Sequence, residues 1–319
     1  MELGLFQKVL EYFPEDKRPD ITPLIAERMS IYENPVGKEY KNYRFWPGSH
    51  KYTMEWQYDN WNPTNDDVLV ASYPKTGTTW MTAIVKNIIY RDSAEKLEMT
   101  KSISFLYSYL EQGIPLKYEV MEKLPWKRKI WGTHLPAPLV NMEKLKKNGC
   151  KIIYMVRNPK DQAVSWFHFC QKDPFIKSME GYSENWDEFF NGYISGKQAN
   201  CAKEGEWYPD HILSWYPYRN DDNVMFMAYE DLKKNTAVEV KKLCDFLNVK
   251  RSHDEILSIV KETSFDQMQT EAYGLSKSYF FRKGRVGEWK RRFTVLQSEQ
   301  MDEKIEEKFS GTDIRFTYV

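Results

Sequence analysis

The sequence predicts an α/β fold: a single domain with a central parallel sheet, helices on its flanks, and a P-loop-like turn that holds an anion. Three observations predict it. Short runs at 68–72, 129–131, 151–156 and 223–227 read as strands, and three of the four are nearly continuous apolar, the mark of strands buried on both faces of a parallel sheet. Helical patterns follow these runs. Residues 77–90 carry Trp80, Ile84, Val85, Ile88 and Ile89; residues 158–169 open on Asn158 as cap and Pro159 at the first position; residues 236–247 carry Val238, Val240, Leu243 and Phe246. Strand-then-helix alternation implies an open parallel sheet, whose ligands bind beyond the carboxyl ends of the strands. The loops to inspect are therefore 72–79, 132–138, 157–160 and 228–233.

No Gly/Ser linker, charge block or internal repeat divides the chain. Residues 1–65, rich in Tyr, Asn and Pro, read as an irregular segment packed on the same domain, and 66–319 carry the fold. The 46 basic and 46 acidic residues cancel, so bulk charge gives no reason to expect nucleic acid or an anionic membrane as partner. The cysteines Cys150, Cys170, Cys201 and Cys244 are widely spaced, which argues against a disulfide framework or zinc site. The first twenty or so residues lack the apolar core of a signal peptide, and no run approaches the roughly 18 apolar residues of a membrane span. The expected location is the cytoplasm.

The loop 73–79 holds Lys75, Gly77 and the threonines Thr76, Thr78 and Thr79. A helix start offers unpaired N–H groups and the positive end of the helix dipole. Gly77 lets backbone approach an anion closely, Lys75 supplies a full charge, and the threonines supply hydroxyl donors. In physical terms this is a cradle for phosphate or sulfate. It is not a Walker A loop, because Lys75 precedes the single glycine, Gly77, by two residues and no Gly stands five before Gly77. A P-loop kinase is therefore the weaker reading. The bland reading is a capped helix with a surface lysine.

Residues 73–80, Tyr-Pro-Lys-Thr-Gly-Thr-Thr-Trp, resemble the 5′-phosphosulfate loop of the cytosolic sulfotransferases. These enzymes move a sulfuryl group from 3′-phosphoadenosine 5′-phosphosulfate (PAPS) to a hydroxyl or amine, leaving PAP. The family usually has Ser where this chain has Thr76, so a hydroxyl is retained. The donor carries a separate 3′-phosphate, which needs its own basic groups. Arg157 follows a buried strand, and Ser165 lies two turns further on. The family has this Arg and Ser at this spacing, and the resemblance implies that both touch the 3′-phosphate. Taken alone, an arginine at a strand end is more often a structural ion pair.

Residues 281–290, Phe-Arg-Lys-Gly-Arg-Val-Gly-Glu-Trp-Lys, resemble the family's R-K-G-x-x-G-D-W-K signature, with Glu288 for the usual Asp. The resemblance implies that Arg282, Lys283 and the backbone at Gly284 close around the 3′-phosphate, with Phe281 beside them in the cofactor site. Six basic residues and one acidic fall between 282 and 292, so a nucleic-acid patch is the rival reading. Zero net charge and the glycines argue against it. Trp80, Tyr229 and Phe265 match family positions around the adenine, with Thr263, Ser264 and Met268 beside Phe265. Each alone is more often core.

Transfer to a hydroxyl requires removal of a proton, and histidine is best matched near neutral pH. Of the five histidines only His134 sits just beyond an expected strand, in Thr133-His134-Leu135-Pro136. The family carries its catalytic base in this T-H-L-P sequence, so the resemblance assigns His134 as general base. Gly132 stands where many members have Lys, which bears on acceptor preference. The implied mechanism is in-line displacement at sulfur, with Lys75 stabilising the departing phosphate and Ser165 restraining Lys75 until the acceptor arrives. No carboxylate cluster suggests a metal. The acceptor is expected to be small and mostly apolar, such as a phenol, steroid, catecholamine or alcohol, in a pocket containing Phe105 and Phe169. Trp166 and Phe167 are neighbours. Acceptor choice is expected to reside in 97–128, which carries Phe105, Tyr107, Tyr109 and Trp126. Lys290, Thr294, Val295 and Glu299 match the family's short dimerisation motif, a solvated helix start being the alternative. Two further readings remain: a PAPS-binding protein without chemistry, and a PAPS-dependent dehydratase whose sulfated product eliminates.

Overall fold

The computed structural model describes residues 10, 14–18, 20–33, 38–102, 108–124, 126–173, 182–198, 200–271 and 281–318. The strands, in chain order, are β1 (Lys38–Tyr40), β2 (Tyr43–Phe45), β3 (Val68–Ser72), β4 (Ile130–Thr133), β5 (Lys151–Val156), β6 (Ala202–Lys203) and β7 (Val224–Ala228). Four of them form the expected parallel sheet in the order β4-β3-β5-β7. Leu69 of β3 lies opposite Trp131 on one side and Ile152 on the other. Every β3 side chain is buried, which is why that run shows no polar alternation. The chain leaves β3 toward β4 on one side and later continues into β5 on the other. The loops after β3 and β5 therefore flank a crevice at the carboxyl edge of the sheet.

The helices are α1 (Thr22–Glu33), α2 (Lys51–Asn60), α3 (Thr78–Tyr90), α4 (Ala94–Ser102), α5 (Leu116–Lys123), α6 (Met142–Lys147), α7 (Pro159–Cys170), α8 (Trp186–Ile194), α9 (Tyr208–Trp215), α10 (Tyr229–Lys234), α11 (Thr236–Phe246), α12 (His253–Glu262), α13 (Phe265–Glu271) and α14 (Val295–Phe309). In α3 the buried residues Met81, Ile84, Val85 and Ile88 recur at helical spacing and seat the helix on the sheet. Asn158 caps α7 by accepting from the Asp161 N–H, as its position suggests. In α11, Val240 and Leu243 are buried, whereas Val238, counted above with the apolar face, is exposed.

Two expectations differ from the structure. Residues 1–65 are not irregular throughout: they hold α1, the β1–β2 hairpin and α2. The signal of α2 is weak because its buried face contains Thr53 and Gln57 beside Met54. Backbone carbonyls take their donors: Thr53 donates to Gly113 and the Gln57 amide to Leu139, at 2.5 and 2.8 Å. The hairpin turns through Lys41 and Asn42, both left-handed, as a two-residue turn between twisted strands requires. The second difference is β4, which runs two residues past 131 to include Gly132 and Thr133. Glycine in a strand gives no propensity signal and often marks close approach of another group.

Ile21, Leu24, Phe45, Met54 and Trp61 share one apolar cluster with the sheet residues. Trp61 meets Trp131 edge-on at 5.3 Å, and Tyr118 stacks on Trp131 at 5.2 Å. All four cysteines are buried thiols. No helix of the described residues is long and apolar enough to cross a membrane.

Candidate active site

After Ser72 the backbone turns through Lys75, left-handed at φ 68°, and Gly77 at φ 111°. A Cβ at Gly77 would lie 2.8 Å from the Tyr229 ring, so both conformation and space demand glycine there. Gly77 is the N-cap of α3, and no side chain caps that end. The first-turn N–H groups, which lack intrahelical partners, are thus left to the loop. The Thr76 hydroxyl donates to the Tyr73 carbonyl at 2.8 Å. The Thr78 hydroxyl lies 2.6 Å from the Ser72 hydroxyl. Both threonines are buried and their hydroxyls hold the loop itself together, while Thr79 is half-buried on α3. Gln162 of α7 braces the loop from behind by donating to the Pro74 carbonyl at 2.8 Å.

The Lys75 ammonium rests 4.3 Å from the centre of the Phe169 ring on α7. Burial, reinforced by the charge of Arg157, pushes its pKa down to about 7. Ser165 is half-buried one helical turn before Phe169, on the same face of α7. Trp166 and Phe167 are buried in the core. Phe105 and Tyr107 lie outside the described residues.

Arg157 follows the end of β5 and is buried. Its guanidinium donates to the Lys75 and Arg285 carbonyls at 3.2 and 3.4 Å and lies 4.4 Å from the Tyr229 ring centre. No described carboxylate forms an ion pair with it, and its buried Nε has no hydrogen-bond partner. A buried, unmet donor of this kind is costly unless a ligand completes it. An anion in the crevice suits it. Trp80 meets Tyr229 edge-on at 5.5 Å, and its indole N–H is likewise buried and unmet.

The loop 282–292 reaches this crevice because Asp161 of α7 accepts from the Gly287 and Trp289 N–H groups at 2.7 and 3.0 Å. Gly284 has φ 59°, and a Cβ there would lie 2.4 Å from the Phe265 ring. Phe281 meets Phe265 edge-on at 5.8 Å. Buried Glu288 takes Lys283 at 2.6 Å and faces Arg282 at 3.6 Å, so both cations of this loop lean on one carboxylate. Thr263 donates to the Ile259 carbonyl at 2.7 Å and ends α12, while Ser264 caps α13, where Phe265 and Met268 are half-buried. Lys290, Thr294, Val295 and Glu299 are all exposed around the start of α14.

His134 follows β4 directly. Its Nδ1 lies 2.7 Å from the Ser72 carbonyl oxygen. A carbonyl only accepts, so Nδ1 carries the proton, and the neutral ring keeps its Nε2 lone pair. Burial pushes its pKa down to about 4, with the Lys75 charge adding to the effect and the Ser72 carbonyl opposing it. The ring is therefore neutral at pH 7.

Residues without a sequence signal hold it there. The carboxylate of buried Glu111 accepts from the His134 N–H at 2.8 Å and from the Thr133 hydroxyl at 2.9 Å. Buried Lys117 donates to the carbonyls of Tyr109, Leu110 and Gln112. The His134 carbonyl accepts from His211 Nε2 at 3.1 Å, and Tyr154 donates to His211 Nδ1 at 2.8 Å. A Glu or Lys with no nearby motif reads as surface; only the folded contacts reveal these. Among the described residues no three His, Cys, Asp or Glu gather as a metal site.

Residues 65–313 match the sulfotransferase domain family model. Mouse sulfotransferase 1B1 is 33% identical over 304 residues, covering 90% of this chain and 98% of that one. Mouse sulfotransferase 6B1 is 36% identical over 259 residues, covering 80% of each. Among solved structures, mouse sulfotransferase SULT7A1 complexed with PAP superposes with a TM-score of 0.73 at 31% identity, covering 87% of this chain and 96% of that one. With an anion loop, a second basic site and a histidine meeting at one sheet edge, and with matches of this extent, the chain belongs to the sulfotransferase family, the PAPS-dependent sulfuryl transferases.

Proposed function

We propose that this sulfotransferase moves the sulfuryl group of PAPS to the hydroxyl, or amine, of a small and mostly apolar acceptor, with His134 as general base. The observation that carries this is the bond from His134 Nδ1 to the carbonyl of Ser72. Ser72 is the last residue of the strand that feeds the anion loop, so the base and the cradle share one strand end. The donor's 5′ end fits the uncapped start of α3 with Lys75. Its 3′-phosphate fits the unmet Arg157 Nε with Ser165, Arg282, Lys283 and the backbone at Gly284. Trp80, Tyr229 and Phe265, with Thr263, Ser264, Met268 and Phe281 around them, suit the adenine. PAP bound to the mouse relative supports this reading.

In the reaction, Nε2 of His134 takes the acceptor proton while the acceptor oxygen forms its bond to sulfur. The bond from sulfur to the bridging oxygen breaks, and PAP leaves with that oxygen's electron pair. Lys75 and the loop N–H groups stabilise the charge as it develops, by preorganised electrostatics. Phe169, which carries the Lys75 ammonium, lines the acceptor side together with His134.

The apolar cluster that Ile21, Leu24, Phe45, Met54 and Trp61 share with the sheet supports one domain, with the described residues of 1–65 packed on 66–319. We place the enzyme in the cytoplasm and propose a homodimer through Lys290, Thr294, Val295 and Glu299. Incubation with labelled PAPS and a panel of phenols, steroids, catecholamines and alcohols, with product analysis by mass spectrometry, should yield stable sulfate esters and PAP. Label retained on PAPS with every acceptor, although PAP binds, would overturn transfer; a dehydrated product would replace stable sulfation with elimination.

A further inference from the structure

Gly132, the third residue of β4, is unlike the other glycines of the site. It is not among the residues with positive φ, so backbone freedom does not explain it. Space does: a Cβ at Gly132 would meet three atoms of the Tyr109 ring at 2.7, 2.9 and 3.0 Å. The ring occupies the volume that any side chain here would need.

The seat is built from several sides. Tyr109 forms a parallel bridge with Gly132, and the Leu110 N–H donates to the Gly132 carbonyl at 2.9 Å. Lys117 holds the Tyr109 carbonyl. The ring, almost wholly buried, lies 5.0 Å from the His134 imidazole at an interplanar angle of 55°. The phenol end of the ring points toward the Thr78 side chain. Thr78 contacts the Ser72 hydroxyl, and the Ser72 carbonyl accepts from His134. Thr78, Ser72, His134 and the Tyr109 ring therefore form a contiguous chain of contacts from the start of the anion-loop helix to the imidazole.

We infer that Tyr109 is a positioning residue for His134, admitted by the bare α-carbon of Gly132, and that this pair holds the imidazole in its Nδ1–H tautomer with Nε2 turned to the acceptor. This rests on the reading of His134 as base. It makes Gly132 and Tyr109 interdependent: a side chain at 132 drives the ring onto the imidazole, and loss of the ring lets the imidazole turn.

The test is a long-range ¹⁵N–¹H spectrum of histidine-labelled protein at pH 7 without ligands, His134 being assigned by its absence from His134→Gln. Wild type and Tyr109→Phe should show a single Nδ1–H tautomer. Tyr109→Leu and Gly132→Ala should each lose it to a mixture of tautomers. The double variant should be no worse than Tyr109→Leu alone, since the clash has gone. Melting curves confirm that each variant is folded, and Tyr109→Leu adds no bulk to the strand. A wild-type tautomer kept in both single variants, or additive losses in the double, would overturn the inference. Transfer activity separates the two levels. If His134→Ala still transfers sulfuryl, the base reading fails; if it does not and the tautomer ignores Tyr109, only the positioning role fails.

Discussion

Lys75 and His134 sit in one buried cleft, and burial acts on both in the same direction, against positive charge. For His134 this is useful: with its pKa pushed to about 4, the ring is an available base throughout the neutral range. For Lys75 it is a cost, because the ammonium proposed to meet the sulfated phosphate is pushed to about 7 in the free protein. The sign follows. Above that value Lys75 loses its charge, so kcat/KM for PAPS should fall as pH rises through about 7, whereas His134 should impose no acid limb until pH approaches 4. Arginine stays charged at any working pH. In Lys75→Arg the alkaline limb should therefore move up by more than one pH unit, even if the maximal rate is lower. An unchanged limb in that variant would assign it elsewhere. Lys75, Arg157 and His134 were legible in the sequence because each lies in a local string at a strand end. Glu111 and His211 were not, since their roles arise from contacts with residues far along the chain, nor was Lys117, whose partners are backbone carbonyls that carry no sequence signal.

At the scale of the element, the loop 282–292 shows what a motif conveys and what it conceals. Its cations and glycines were readable, and so was their proposed task. Its anchorage was not: the two N–H bonds to Asp161 depend on α7, which comes more than a hundred residues earlier. Gly284 joins both aspects. With φ 59° and the Phe265 ring 2.4 Å from its missing Cβ, it sets the loop against the proposed adenine-stacking ring. Gly284→Ala should weaken PAP binding by roughly tenfold or more, as a strained backbone and a displaced ring cost on the order of 1–3 kcal/mol. Isothermal titration with PAP measures this, and undiminished affinity would remove the loop from the donor site. The same contrast appears in β4 and α2. Gly132 hid the end of the strand because a ring fills its place, and Thr53 and Gln57 hid a helix because its buried face is polar and its donors reach distant carbonyls.

For the molecule as a whole, the sheet does the gathering. Its order brings the loops after β3 and β5 to either side of one crevice, and β4 delivers His134 beside the first. The fold class was readable because strands buried on both faces need continuous apolar runs. The strand order was not, as nothing local encodes it. A chain of zero formal net charge must build any anion site locally, and Lys75, Arg157, Arg282 and Lys283 with the uncapped start of α3 are the proposed one. In this account donor clamp and base are separate parts that meet at one edge. Single-turnover transfer from labelled PAPS, read beside PAP affinity in wild type and His134→Ala, tests that division. Transfer should fall about 10²–10⁴-fold while PAP affinity stays within a few-fold. A variant that still transfers at near the wild-type rate, or that loses PAP together with its activity, would contradict it.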